Sequence, residues 1–235
     1  MSPYASGESA SLLHMQPNLA QVLNTLAHEI RTPLAVSQGY LKLYLDGRFT
    51  NVEDTRKAFE QTRQALGTLA TLCVDMGKVS ALSESAAPQG VPERLAATEF
   101  ITSLRGAAEV EGASWPEDAS QVAPSKDIAP GNHRDLVQAV AIVVKAAFDE
   151  ARDEPHVVRS EVGKDLILLA GTAGSLPALQ SGPEAARARA VNFVKGGKGL
   201  NLIWAAFVLD LHGVHTWTHS EHRASVGFRI PLVQA

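Results

Sequence analysis

The chain has 235 residues, 45% of them hydrophobic and 20% charged, enough to bury the core of one domain or of two modest ones and too apolar for disorder along its whole length. Its 21 Lys plus Arg against 25 Asp plus Glu, a formal net charge of -4, argue against a dedicated binder of nucleic acid or of anionic membrane. The longest apolar runs, Val137 to Phe148 and Leu200 to Leu211, are interrupted by Lys145, Asn201 and Asp210 and fall short of the roughly 20 residues a spanning helix needs, so no membrane insertion is expected. Met1 to Met15 lacks the basic start and long apolar region of a secretory signal. The single cysteine, Cys73, excludes an intrachain disulfide framework and suits a reducing cytoplasm.

In chain order, a tail over 1–15 precedes a stretch from Gln16 to about Leu82 whose apolar residues recur every three or four positions, which predicts two long helices. The first places Leu19, Leu23, Leu26, Ile30, Ser37, Leu41 and Tyr44 on one stripe. Asp46-Gly47-Arg48-Phe49 reads as a turn, and Thr50 to Glu53 offers a capping box to the second helix. That helix carries Phe59, Leu66 and Cys73 seven apart, interleaved with Thr62, Leu69 and Met76, the seam of a helix packed at a shallow angle. Cys73 is read there as packing. A lone hairpin cannot cover two apolar seams, so a homodimeric four-helix bundle is expected, the alternative being a second domain folded back over the seam.

A Pro/Gly-containing linker over 83–97 leads into a mixed α and β region over 98–235. There Thr98 to Glu109, Arg134 to Arg152 and Gly199 to Leu211 read as helices. Val157 to Val162 and Leu166 to Ala170 read as strands joined at Gly163-Lys164, and Val214 to Thr218 and Val226 to Leu232 as a hairpin around Glu221-His222-Arg223. The fold class expected is therefore α plus α/β: a helical hairpin completed by dimerisation, then an α/β sandwich.

The most informative segment is Ala27-His28-Glu29-Ile30-Arg31-Thr32-Pro33-Leu34. His28 lies about 200° around the helix from Leu26, off the apolar stripe, and its own face continues through the small residues Thr32, Ala35 and Gly39. Such a ridge lets a partner approach the imidazole closely. Pro33 forgoes a backbone hydrogen bond in the helix interior, a cost of about 3 kcal/mol, and is expected to bend the helix beyond His28. A neutral imidazole is nucleophilic near neutral pH, and the neighbouring Glu29 carboxylate can orient the ring and accept its proton.

This string resembles the phosphoacceptor motif of two-component sensor histidine kinases, and residues 16–82 resemble that family's dimerisation and histidine phosphotransfer domain. The resemblance implies His28 as phosphoacceptor, Glu29 as acid/base and Thr32 as a positioner of water in dephosphorylation of a response regulator, with receiver domains docking along Thr32, Ala35 and Gly39.

Residues 98–235 resemble the family's ATP-binding domain only in part. Gly197-Lys198-Gly199-Leu200-Asn201-Leu202 resembles its glycine-rich G2 box, with Asn201 in place of a glycine, and Leu211-His212-Gly213 resembles its C-terminal end. The family's magnesium-anchoring asparagine aligns with Ala146, and the adenine-binding aspartate with Ala170 at the head of Ala170-Gly171-Thr172-Ala173-Gly174. Alanine can neither accept that hydrogen bond nor hold magnesium. No cofactor is expected, with ATP and magnesium binding lost or weak; Gly197 and Gly199, with Arg187, Arg189 and Lys195 of the lid-like segment Ser175 to Gly196 and Lys198 just beyond it, remain phosphate candidates. No metal is expected either: His215 and His219 along one strand would stand about 13 Å apart at 3.3 Å per residue, and His212 reads as a helix cap.

The resulting expectation is a cytoplasmic, homodimeric histidine phosphotransferase of a phosphorelay, passing a phosphoryl group between receiver aspartates through His28 without ATP-dependent autophosphorylation. Its expected partners are response-regulator receiver domains and an upstream hybrid kinase. The alternatives are an active kinase with an unusual nucleotide site and a non-catalytic adaptor or response-regulator phosphatase.

Overall fold

The computed structural model describes residues 19–83, 93–110, 126–185, 187–189, 191–192 and 199–233. The expected tail over 1–15 and most of the linker over 83–97 lie outside them. The chain divides into two compact units: α1 and α2 belong to one, the sheet with α3 to α5 to the other, and the division runs through α6 between Trp204 and Ala205.

In the first unit α1 (Leu19–Leu45) and α2 (Val52–Ser83) form an antiparallel hairpin. α1 is closed by a turn in which the Asp46 and Arg48 amides donate to the Lys42 and Leu43 carbonyls, and Gly47 takes φ 64°, a conformation glycine adopts without cost. The start of α2 differs from the expected Thr50 to Glu53 box. Asn51 is the cap: its Oδ1 accepts the Asp54 N–H at 2.8 Å and its Nδ2 donates to Asp54 Oδ2 at 2.7 Å. Asn132 caps α4 (His133–Phe148) in the same way, through the Asp135 amide.

Within the single chain only part of the expected seam of α2 is covered. On α2 the buried column is Ala58, Ala65, Leu72 and Val79, with Thr62 buried and Leu69 half-buried beside it. Phe59, Leu66, Cys73 and Met76 are exposed. On α1 Pro33 and Ser37 are buried and Leu26, Ile30 and Tyr40 half-buried, whereas Leu23, Leu41 and Tyr44 are exposed. Cys73 lies on the face that α2 leaves open in the single chain. Small side chains let two antiparallel helices approach closely, and the larger residues one position round stay outside that contact. α1 remains one helix through Pro33.

The second unit is an antiparallel sheet with β1 (Glu93–Ala96), β2 (Asp127–Gly131), β3 (Pro155–Val162), β4 (Asp165–Thr172), β5 (Ala188–Arg189), β6 (His215–His219) and β7 (His222–Val233) among the described residues. The main path runs β1-β2-β7-β4-β3, and β6 pairs with both β5 and β7. β3 and β4 are joined at Gly163-Lys164 as expected, Val162 facing Asp165 and Gly163 taking φ 62°. β1 lies within the stretch expected to be linker. β6 and β7 are joined by Ser220-Glu221 alone, a tighter connection than the loop expected around 221–223.

α4 packs on β4 and β7, and α3 (Ala97–Val110) packs on α4. On β4, Leu166, Leu168 and Ala170 alternate with Ile167 and Leu169. The latter two join Trp217 and Leu176 and Leu179 of α5 (Leu176–Gln180) in a core cluster under the opposite face. Trp217 Nε1 donates to the Leu179 carbonyl at 3.2 Å. Gly227, opposite Trp217 in the β6–β7 ladder, leaves the indole its place: a β-carbon there would overlap the ring. Gly227→Ala is expected to lower the unfolding free energy by about 1–3 kcal/mol, the usual cost of overpacking, read as a shifted urea midpoint. α6 (Gly199–Leu211) is buried along most of its length, from Leu200 through Leu209, although Asn201 is exposed.

Candidate functional site

His28 sits in the third turn of α1 and is exposed; Glu29 beside it is half-buried. Thr32, Ala35 and Gly39 are all exposed, so the structure places the four residues of the expected ridge on one open face of α1. The α-helical repeat sets this arrangement, since i, i+4, i+7 and i+11 return to one side. The turn covering the opposite side of α1 is where Pro33 and Ser37 are buried. At Gly39 an added β-carbon would meet nothing within 4 Å. A glycine in a helix interior costs up to about 1 kcal/mol relative to Ala, and no packing within the chain calls for it.

Ala146 and Ala170 are far apart in character. Ala146 is half-buried in the last turn of α4, whereas Ala170 is fully buried in β4, paired with Val157 and Val226. Just beyond it, a β-carbon at Gly171 would fall 2.5 Å from Ser175 Oγ and 2.7 Å from Ser225 Cβ, so a side chain at Gly171 would displace its neighbours. Ser175 closes this turn, accepting from the Thr172 amide and donating to its carbonyl, both at 2.9 Å.

The lid-like segment is tied down over its described part. β5 pairs with β6, Arg187 is paired with Glu221, and Arg229 makes two hydrogen bonds to Glu184, at 2.9 and 3.2 Å. The Arg229 guanidinium holds the Glu184 carboxyl below its ordinary pKa. Arg187 is thus engaged in an ion pair and Arg189 is exposed in β5; Lys195, Gly197 and Lys198 lie outside the described residues, and Gly199 is the first residue of α6. Sequence reasoning missed these ties because they join residues 34 and 45 positions apart.

His212 acts at a helix end, as expected. Its Nδ1–H donates to the Val208 carbonyl at 2.8 Å. Burial pushes its pKa below the ordinary 6.5, against the opposing pull of the Val208 carbonyl.

Comparison with known proteins agrees with this division of the chain. Residues 18–80 match the model of the His Kinase A (phospho-acceptor) domain. No curated protein sequence matches the chain. Among solved structures, Acinetobacter baumannii histidine kinase AdeS superposes with a TM-score of 0.55 at 17% identity, over 87% of this chain and 98% of that one. Full-length ShkA in complex with AMPPNP gives 0.49 at 20% identity, over 94% of this chain and 47% of that one. Residues 18–80 therefore form a His Kinase A (phospho-acceptor) domain, and the α/β unit that follows shares the kinase-like fold seen in the AdeS structure. No helix among the described residues is long and apolar enough to cross a membrane.

Proposed function

We propose that the protein is a cytoplasmic, homodimeric histidine phosphotransferase of a phosphorelay. In this reading residues 16–82 are the dimerisation and phosphotransfer hairpin and 98–235 a degenerate kinase domain. The observation that carries it is the exposed His28 at the head of a ridge of small exposed residues, Thr32, Ala35 and Gly39. The ridge lies within the segment that matches a phospho-acceptor domain.

A receiver domain docks along the ridge and presents its phospho-aspartate to the imidazole. The ring nitrogen attacks phosphorus as the P–O bond to aspartate breaks, the aspartate leaves as a carboxylate, and Glu29 takes the imidazole proton. The reverse sequence delivers the group to a second receiver. Thr32, one turn from His28, stands where it can position water for hydrolysis.

Supply from ATP is disfavoured by residues rather than by shape. Ala146 and Ala170 stand where the resembled family uses an asparagine and an aspartate, and Gly171 is closed in by Ser175 and Ser225. Each missing buried or charge-assisted hydrogen bond removes about 1–3 kcal/mol of ligand binding. Calorimetric titration with ATP and magnesium is expected to give no saturable heat; a saturable one-to-one isotherm would favour an active kinase.

A further inference from the structure

The tight connection of β6 to β7 brings together residues that sequence spacing keeps apart. In a two-residue hairpin loop the flanking residues become cross-strand partners, and here they are His219 and His222. Their ring centroids are 5.3 Å apart. Glu221, in the turn itself, brings a carboxylate to the same place, and one ligating atom from each of the three residues lies within 4.8 Å of the others. His215 and His219 stand apart along one strand, whereas His219 and His222 face each other across the turn.

We propose that His219, Glu221 and His222 form a binding site for a divalent transition metal of the zinc type. Two imidazole nitrogens and a carboxylate oxygen are a donor set suited to zinc, at metal–ligand distances of about 2.0–2.2 Å, with water completing a tetrahedron. In a tetrahedron two ligands of one ion stand about 3.4 Å apart on those distances, so closure needs the side chains to draw in by up to about 1.4 Å from the spacing here. His222 is half-buried and Glu221 exposed, which leaves the cluster open to an ion arriving from solvent.

The surroundings favour that geometry and also set its cost. Arg187 Nη1 is paired with Glu221 Oε1, which orients the carboxylate as an outer partner of a ligating group does. The Glu221 N–H donates to His219 Nδ1 at 3.3 Å. Coordination ends that contact whichever nitrogen is used: at Nδ1 the lone pair goes to the metal, and at Nε2 the ring proton moves to Nδ1. The contact is long, so the loss is small.

The position gives the ion something to hold. His219 also pairs with Ala188 of β5, and the Ser220 amide donates to the Arg187 carbonyl at 3.1 Å. A metal here would clip β6 to β7 where β6 meets β5 of the lid-like segment. It would stabilise this corner of the sheet independently of whether His28 carries a phosphoryl group.

Equilibrium dialysis of the full chain against zinc alone tests the site. One tightly held equivalent per chain is expected, with its affinity reduced at least about tenfold in His219→Ala and in His222→Ala. Zinc is also expected to raise Tm in the wild type and not in His222→Ala. X-ray absorption at the zinc edge of the wild type is expected to show two imidazoles with oxygen donors, a readout that holds even if a variant folds poorly. Absence of saturable binding, unchanged affinity in the double His219→Ala/His222→Ala variant, or a zinc shell without two imidazoles would overturn the proposal.

Discussion

Replacing His28 with Gln is expected to abolish phosphoryl acceptance from a phosphorylated receiver, by at least about 10³-fold, because loss of a nucleophile removes the covalent route itself. The fold should not notice. His28 is exposed, and surface substitutions away from special features stay within about 0.5 kcal/mol, so unfolding midpoints of the two proteins should coincide. Glu29→Gln keeps the imidazole and loses the proton acceptor, and is expected to slow transfer by about 10²–10⁴-fold, the usual share of general base catalysis. Rapid-quench gels with phosphorylated receiver measure both. Equal labelling of wild type and His28→Gln would show that another group is the acceptor.

The second large effect concerns the apolar face left outside the hairpin. Leu23, Leu41, Tyr44, Phe59, Leu66 and Met76 are exposed, with Phe59 at 47% and Leu66 at 54%. Tyr44 and Phe59 stack edge-on, ring centroids 5.2 Å apart, so this face is a continuous surface running over both helices. Covering such side chains gains about 1.5–3 kcal/mol each, and two-fold symmetry counts each twice. Phe59→Asp with Leu66→Asp therefore removes most of the association energy. Light scattering is expected to find the wild type at twice the chain mass of 25.0 kDa and the double variant at the chain mass. The buried column Ala58, Ala65, Leu72 and Val79 is untouched by these changes, so the variant hairpin should keep its helical circular dichroism. A wild type that is monomeric at micromolar concentration would count against the four-helix bundle.

These two faces also show where sequence reasoning succeeds and where it stops. Helical periodicity placed both helices of the hairpin, and the turn residues Asp46-Gly47 and Gly163-Lys164 placed two of its reversals, because a positive φ has few residue types to choose from. The division of α2 into a face toward α1 and a face outside was not legible. Phe59 and Leu66 outweigh Ala58 and Ala65 on any hydrophobicity count, yet close helix approach selects the alanines. β1, β2, α5 and β5 were missed for a related reason: they are short, and Asp127-Ile128-Ala129-Pro130-Gly131 carries a proline that argues against a strand. Their pairing is supplied by partners distant in the chain.

Of the candidate site, the motif around His28 was readable because its residue types and helical spacing alone put it on an open ridge. The ties of Glu184 to Arg229 and of Arg187 to Glu221, and the meeting of His219 with His222, depend on strand register and on the length of a turn. Both are set by the folded sheet.

The most direct test of the central claim is incubation of the purified protein with radiolabelled ATP and magnesium, beside an identical sample given a radiolabelled phosphorylated receiver. The account predicts acid-labile, base-stable label on His28 in the receiver sample and none in the ATP sample. Label reaching His28 from ATP alone would contradict it.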